Sequence, residues 1–295
     1  MTARILDGKA TALAVREDVA ARVAFLKQAG VEPGLTVVLV GEDEASQVYV
    51  RNKDRAATKA GFKVETVRLP ADTSQADLLA HVRRLNADDT VHGILVQLPL
   101  PKGLDSAEVV RALDPYKDVD GLHPDNVAAL VMGEEGLVPC TPAGCIEILD
   151  RYDIELEGAH FVIVGRSMLV GKPLAQLALS RNATVTVCHS RTKDLAGICR
   201  QADVLVAAVG RAELVRGDWV REGAAVLDVG INRGDDGKLI GDVEFEAASA
   251  RAAAITPVPG GIGPMTIAML LSNTATAAAR QCGVIEPAGE AAARR

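Results

Sequence analysis

The sequence predicts an α/β protein of two domains, each a mostly parallel sheet flanked by helices. Three observations lead there. Short apolar, β-branched runs alternate with helix-like stretches through residues 35–113, and the same alternation restarts at residue 160. A polar, turn-rich break at 117–124 and a proline-bearing stretch at 138–142 separate the two series. Strand and helix in alternation imply a parallel sheet covered by helices, and 295 residues suit roughly two domains of about 150.

In chain order, "LTVVLVG" (35–41) reads as a buried strand closed by Gly41. A helix is expected from Ser46 to Ala60, stopped by Gly61. "FKVETVRL" (62–69) reads as a second strand, and Asp72, Thr73 or Ser74 can cap a helix running to about Leu85. "HGILVQLPLP" (92–101) is a strand ended by prolines. Asp105 or Ser106 starts a helix that stops before Pro115. After "KDVDGLHP" (117–124) comes a short helix, and "VPCTPAGCIEILDRY" (138–152) turns helical after its prolines. "HFVIVG" (160–165), "TVTVCH" (184–189), "DVLVAAVG" (203–210) and "AVLDVGIN" (225–232) are four further strands. Crossover helices are expected after the first of these and over 192–202. A fifth strand, "AITPV" (254–258), runs into a glycine loop and a long apolar helix within 259–280. The implied domains are 1–139 and 140–265, with a helix over about 266–285 packing back on the first and a frayed tail at 286–295.

Composition narrows the function. At 48% hydrophobic and 24% charged residues the chain is globular in type. The formal charge of -7 and the lack of any Lys/Arg-rich run give nucleic-acid binding no support. No apolar run approaches the roughly 18 residues of a membrane span, and the mixed opening "MTARILDGKATALAVRED" is not a secretory signal. The five scattered cysteines form no disulfide framework, and they do not cluster with the five histidines, so no metal site is expected. A reducing cytoplasm is the simplest setting.

The stretch "VIVGRSMLVGKP" (162–173) carries a nucleotide signature. A strand ends at Gly165 and a helix begins near Gly171, so a tight turn leads to backbone N–H groups suited to a pyrophosphate. The spacing is G-x-S-x-x-x-G, not G-x-G-x-x-G. The next strand runs into Ser190 and Arg191 with no carboxylate; a hydroxyl and a guanidinium suit a 2′-phosphate, and Arg166 adds a second positive charge. These residues point to a Rossmann-type second domain that takes NADP.

Tyr49 and Lys53 are four apart, hence on one face of the predicted helix. That spacing also marks short-chain dehydrogenases, but those place the glycine turn first and the tyrosine–lysine pair far downstream, the reverse of the order here. Gln97 lies at the C-terminal end of a strand, where open parallel sheets bind ligands, and Asp120 lies in a nearby loop.

"YVRNK", "GILVQLPLP", "KDVDGLHP", "PCTPAG", "VGRSMLVGKP", "CHSRT", "DVGIN" and "PGGIGPMTIAMLL" occur in this order from about Leu6 to Thr274. In this the chain resembles the bifunctional methylenetetrahydrofolate dehydrogenase/methenyltetrahydrofolate cyclohydrolases. Met168, where many members carry Asn or Lys, is a departure within the nucleotide turn. The resemblance implies NADP-dependent oxidation of 5,10-methylenetetrahydrofolate to the methenyl cation and its hydrolysis to 10-formyltetrahydrofolate. It implies Lys53 at the catalytic centre, Tyr49 against the folate, Gln97 holding Lys53, and Asp120 bonding the pterin. Val96, Leu98, Pro259, Gly260, Gly261 and Gly263 complete the implied substrate contacts, with "PGGIG" lying along the folate. Gly165, Arg166, Ser167, Gly171, Ser190, Arg191 and Ile231 are the implied cofactor contacts. A homodimer with the active site in the cleft between the two domains of each subunit is implied as well.

The residue types suit that chemistry. Hydride loss leaves a cation between two nitrogens, so Lys53 serves best as a neutral amine that takes a proton from the attacking water. A pterin stacks on Tyr49, and a carboxylate at Asp120 suits the donor-rich pterin edge. Glycines at 260, 261 and 263 let a ligand approach the backbone. Competing readings are a monofunctional dehydrogenase, an NADP enzyme acting on another small carbon acid, and a nicotinamide-binding sensor without turnover. No G-x-x-x-x-G-K-[ST] stretch is present for an ATP-dependent synthetase activity.

Overall fold

In the computed structural model, residues 2–234 and 237–285 are described. They divide into two compact units, one of residues 14–140 with 267–285, the other of residues 2–13 with 141–266. The chain opens with β1 (Arg4–Ile5) and α1 (Gly8–Gln28). The first unit then adds β2 (Gly34–Val40), α2 (Glu44–Lys59), β3 (Lys63–Leu69), α3 (Gln75–Asn86), β4 (Gly93–Val96), α4 (Ser106–Ala112) and α5 (Pro124–Met132). Its sheet is three-stranded, β3-β2-β4, and parallel throughout. The central strand, β2, is buried at every residue, so it reads as a continuous apolar run rather than an alternation. Val38, Val40, Leu78, Val82, Ile94 and Val109 pack sheet against helices α3 and α4.

Helix starts follow their caps. The Asp43 side chain accepts from Ser46 N at 2.8 Å, so α2 begins at Glu44, two residues before the expected Ser46. Ser74 caps α3 and Asp105 caps α4, each among the expected candidates. Strand β4 is shorter than the apolar run that announced it, ending at Val96 before the prolines at 99 and 101. Gln97 N still donates to Val38 O at 2.9 Å, which keeps the next residue registered on the sheet.

The "KDVDGLHP" break has a definite structure. Ile94 bridges Asp118 in parallel, so 117–119 runs alongside β4. The buried Lys117 ammonium donates to the carbonyls of Asn86 and Asp88, both at 2.8 Å, covering acceptors at the end of α3. Asp118 accepts from His123 N at 2.6 Å and Asn126 Nδ2 at 3.0 Å. Gly121 turns with φ 70°, and a Cβ there would meet the Val138 carbonyl carbon at 2.5 Å. The segment is a folded arch that carries Asp120 to the C-terminal end of β4.

The chain continues with α6 (Cys140–Arg151), β5 (His160–Val164), α7 (Gly171–Ser180), β6 (Thr184–Cys188), α8 (Leu195–Cys199), β7 (Val204–Ala207), β8 (Ala225–Asp228), β9 (Asn232–Arg233), β10 (Leu239–Ile240), α9 (Phe245–Ser249), β11 (Ala254–Ile255) and α10 (Ile262–Gln281). The second unit's main sheet is six-stranded and parallel, in the order β1-β11-β8-β7-β5-β6. Phe161, Val162 and Ile163 are fully buried, each such side chain contributing about 1.5–3 kcal/mol of burial. After the edge strand β1 the chain returns to this sheet at β5, then builds β6 on one side and β7 and β8 on the other. That reversal makes a switch point at the C-terminal ends of β5 and β7.

Residues 2–13 group with the six-stranded unit, whereas the linear reading placed them in the first domain. The cause is β1, which pairs with β11 at the sheet edge. Tyr152 also anchors this arm: its hydroxyl accepts from Asp7 N at 2.8 Å and its ring lies under Arg4. The expected tail at 286–295 lies outside the described residues.

Candidate functional site

In the three-stranded unit, α2 presents Lys53 toward the end of β4. Lys53 Nζ donates to Gln97 Oε1 at 2.9 Å, and Gln97 Nε2 donates to Leu98 O at 2.7 Å. The amide is thus fixed with its oxygen toward the amine. Gln97 is buried and Lys53 partly so. Tyr49, one turn earlier on α2, is 43% exposed, leaving its ring available to a ligand. Val96 is buried in the strand, and Leu98 follows Gln97 into a cis peptide with Pro99.

The arch brings Asp120 to the same place. Burial raises the Asp120 carboxyl above its ordinary range, against the opposing pull of the Lys53 charge and the Cys140 thiol. Cys140, at the start of α6, has its Sγ 3.3 Å from Val119 O. Burial, and next the Asp120 charge, push this thiol far above its usual value, so it is an inert packing group. Asn273 of α10 ties the arch down, donating to Val119 O at 2.9 Å and Val138 O at 2.8 Å. Lys53, Gln97 and Asp120 therefore meet in one unit, as does Tyr49 on the face of α2 shared with Lys53. Cys140 and Asn273 are neighbours to which the sequence assigns no role; "PCTPAG" serves there only as a proline-bearing break and a family motif.

In the six-stranded unit, Gly165 closes β5 with φ 131°, a conformation reserved for glycine. A Cβ there would lie 2.2 Å from Ala208 O, and one on Gly171 would lie 2.2 Å from Gly165 O. Both glycines are demanded by the close approach of strand end, turn and helix start at the switch point. The Ser167 hydroxyl accepts from Val170 N at 3.1 Å and helps set the turn into α7. Arg166, Met168, Ser190 and Arg191 are exposed on the turns after β5 and β6. Among the described residues neither the Arg166 nor the Arg191 guanidinium has an ion-pair partner. Two unpaired cations on this edge fit an anionic dinucleotide bearing a 2′-phosphate.

Pro259, Gly260, Gly261 and Gly263 lie in this second unit. Gly260 has φ 112°, and a Cβ on Gly261 would meet Pro257 O at 2.6 Å. The bare backbone at Gly261 thus answers first to the loop's own packing. Gly263 has more room, its nearest neighbour being Ile231 Cδ1 at 3.7 Å from a built Cβ.

A feature absent from the sequence reading sits beneath Ile231. Asp228 and Asp242 are buried and accept backbone hydrogen bonds, Asp228 from Gly230, Asp242 and Val243, each at 2.9 Å. Burial raises the Asp228 carboxyl from 3.8 to about 6. A folded-state value above the unfolded one means that the native state holds this proton more tightly. The resulting stabilisation is present below about pH 4 and is lost as pH rises through about 6. Urea titrations at pH 4, 5, 6 and 7 are expected to show Asp228→Asn losing this slope relative to the unmodified chain; parallel curves for the two proteins would show that Asp228 does not titrate in this range.

The sequence profile of the tetrahydrofolate dehydrogenase/cyclohydrolase catalytic domain matches residues 6–120, and that of the corresponding NAD(P)-binding domain matches residues 139–282. The chain is 63% identical over 279 residues to the bifunctional protein FolD of Acidiphilium cryptum, covering 95% of this chain and 99% of that one. It is 58% identical to the FolD protein of Moorella thermoacetica, covering 95% and 100%. Among solved structures, FolD of Campylobacter jejuni superposes with a TM-score of 0.92 at 48% identity, over 94% of this chain and 98% of that one. The Trypanosoma brucei dehydrogenase-cyclohydrolase, complexed with NADP cofactor and an inhibitor, gives 0.91 at 41% identity, over 96% and 99%.

Proposed function

The chain belongs to the tetrahydrofolate dehydrogenase/cyclohydrolase family, and from that premise we propose how its own residues divide the work. It is a bifunctional enzyme: it oxidises 5,10-methylenetetrahydrofolate with NADP+ and hydrolyses the methenyl product to 10-formyltetrahydrofolate. The observation that carries the assignment of residues is the Lys53–Gln97 hydrogen bond of 2.9 Å at the C-terminal end of β4, with Asp120 beside it.

Tyr49 supplies an aromatic face for the pterin, and Asp120 accepts from its N–H edge. Gln97 Oε1 holds Lys53 Nζ beside the one-carbon bridge. In the first reaction bound NADP+ would supply the hydride acceptor, and hydride loss from that carbon leaves a cation shared between N5 and N10. In the second, water adds to the methenyl carbon and Lys53 takes its proton. The C–N5 bond then breaks as the remaining hydroxyl proton moves to N5, leaving the formyl group on N10. The proton on Lys53 returns to solvent. Gly165, Arg166, Ser167, Gly171, Ser190, Arg191 and Ile231 bind NADP at the switch-point edge. Val96 and Leu98 line the folate. Among the described residues no group of His, Cys, Asp and Glu is arranged to hold a metal ion. No helix among them is long and apolar enough to cross a membrane. A homodimeric assembly and a cytoplasmic location belong to the same reading and rest on the family resemblance.

The test is spectrophotometric. With methylenetetrahydrofolate and NADP+, NADPH absorbance is expected to rise while the methenyl band stays low, because hydrolysis removes it; methenyltetrahydrofolate supplied alone is expected to decay faster than in buffer. Accumulation of the methenyl band would favour the monofunctional reading, and no NADPH would favour the sensor.

A further inference from the structure

The loops at the C-terminal ends of β7 and β8 are fastened by two carboxyl groups to which the reaction assigns no role. Asp242 Oδ2 accepts from Val209 N at 2.6 Å and Gly210 N at 2.8 Å. Its Oδ1 accepts from Arg211 N at 2.8 Å and from Asn232 Nδ2 at 2.9 Å. Three successive backbone donors of one loop thus converge on one side chain. Asp228 holds Gly230 N and the backbone of Asp242 itself, and its own N–H is held by the Thr256 hydroxyl at 2.7 Å. The seats are tight: a Cβ on Gly230 would lie 2.2 Å from Asp242 Oδ1, and one on Gly241 would lie 1.8 Å from Asp228 Oδ2.

Ile231 stands between these fastenings. The residue before it is pinned by Asp228 and the residue after it by Asp242, yet Ile231 itself is 46% exposed. A hydrophobic side chain anchored on both sides but left out of the core is held for something outside the core. Burying carboxyl groups is costly, and a core could be closed without them.

We propose that Asp242 and Asp228 are positioning residues for the dehydrogenase reaction, which set the 209–211 and 230–232 loops and so present Ile231 to NADP. This rests on the reading that NADP lies across this sheet edge. The isosteric Asp242→Asn variant tests it, because each Asp242 oxygen faces two donors and an amide NH2 at either position opposes both.

Initial rates of NADPH formation are measured against NADP+ concentration for the full chain, for Asp242→Asn and for Ile231→Ala, with cyclohydrolase turnover, which uses no nicotinamide, read in parallel. The expected result is a rise in KM for NADP+ on the order of tenfold in Asp242→Asn, with cyclohydrolase turnover changed less than about twofold. Equal loss of both activities would make Asp242 a general structural residue and overturn the proposal. An unchanged KM in Asp242→Asn with a raised KM in Ile231→Ala would overturn it while leaving the cofactor edge in place. An unchanged KM in both would overturn the cofactor edge as well. If Asp242→Asn does not fold, Asn232→Ala removes one donor from the same carboxyl at a partly exposed position. There a raised KM with intact cyclohydrolase supports the proposal, and any other result overturns it.

Discussion

Lys53→Met is expected to lower cyclohydrolase turnover by about 10²–10⁴-fold, the range contributed by a positioned general base, while the protein stays folded and binds NADP. Methionine keeps an unbranched apolar chain out to the ε position, with sulfur for the δ-methylene, and lacks the amine. Gln97 Oε1 then loses its 2.9 Å donor at a partly buried position, which costs on the order of 1 kcal/mol in stability, too little to unfold a domain of this size. Gln97 itself stays registered on the sheet through its backbone bond to Val38 O. Decay of the methenyl absorbance measures hydrolysis, and titration with NADP+ followed by fluorescence measures the cofactor site. Hydrolysis at the unmodified rate would remove the amine from the mechanism. Loss of NADP binding along with hydrolysis would show a disturbance reaching beyond the Lys53–Gln97 pair.

Lys53 and Gln97 were each legible as candidates because their signals are local, a four-residue helical spacing and a polar residue at the end of an apolar run; their pairing followed only from the family resemblance. The switch-point glycines were legible for the same reason, since Gly165 and Gly171 bracket a strand-to-helix turn. Asp120 was found through its motif, but the reason it reaches β4 was not. That depends on Lys117 capping α3 and on the Ile94–Asp118 bridge, contacts between residues distant in sequence. In "KDVDGLHP" these appear only as polar residues in a turn-rich stretch.

The misses are equally specific. Helix α1 buries Ala12, Val15, Val19, Val23 and Leu26, a helical spacing that the mixed charged and apolar opening of the chain obscures. Strand β1 has two residues, too short to show any periodicity. The β9–β10 pair brings Asp242 under Asn232; the carboxyl that holds the 209–211 loop is thus fourteen residues beyond its partner Asp228. Buried acids look like surface acids in a sequence. Only the convergence of backbone N–H groups on them separates the two.

Arg191→Ala is expected to weaken NADP+ by about 10–100-fold and NAD+ by less than about threefold. The argument starts from the strand end. In a dinucleotide fold the residues after the second strand meet the adenosine ribose, where an acid takes the 2′-hydroxyl and an arginine takes a 2′-phosphate. Here that strand is β6, and the turn after it carries Ser190 and Arg191, both exposed, with the Arg191 backbone N–H held by His189 Nδ1 at 3.2 Å. His189 N is in turn held by the Thr192 hydroxyl at 2.8 Å, so the turn is set by its own side chains and does not need the guanidinium. Removing Arg191 therefore leaves the turn in place and takes away only charge. A charge-assisted hydrogen bond contributes about 1.5–3 kcal/mol, which gives the stated range for the phosphorylated cofactor; NAD+ presents no phosphate there and has little to lose. Added salt is expected to narrow the gap between the two cofactors in the unmodified enzyme more than in the variant, since an exposed ion pair is screened. Steady-state KM values for both cofactors at two ionic strengths decide the matter. Equal losses for NADP+ and NAD+ would show that Arg191 does not read the 2′-phosphate and would leave Arg166 as the candidate.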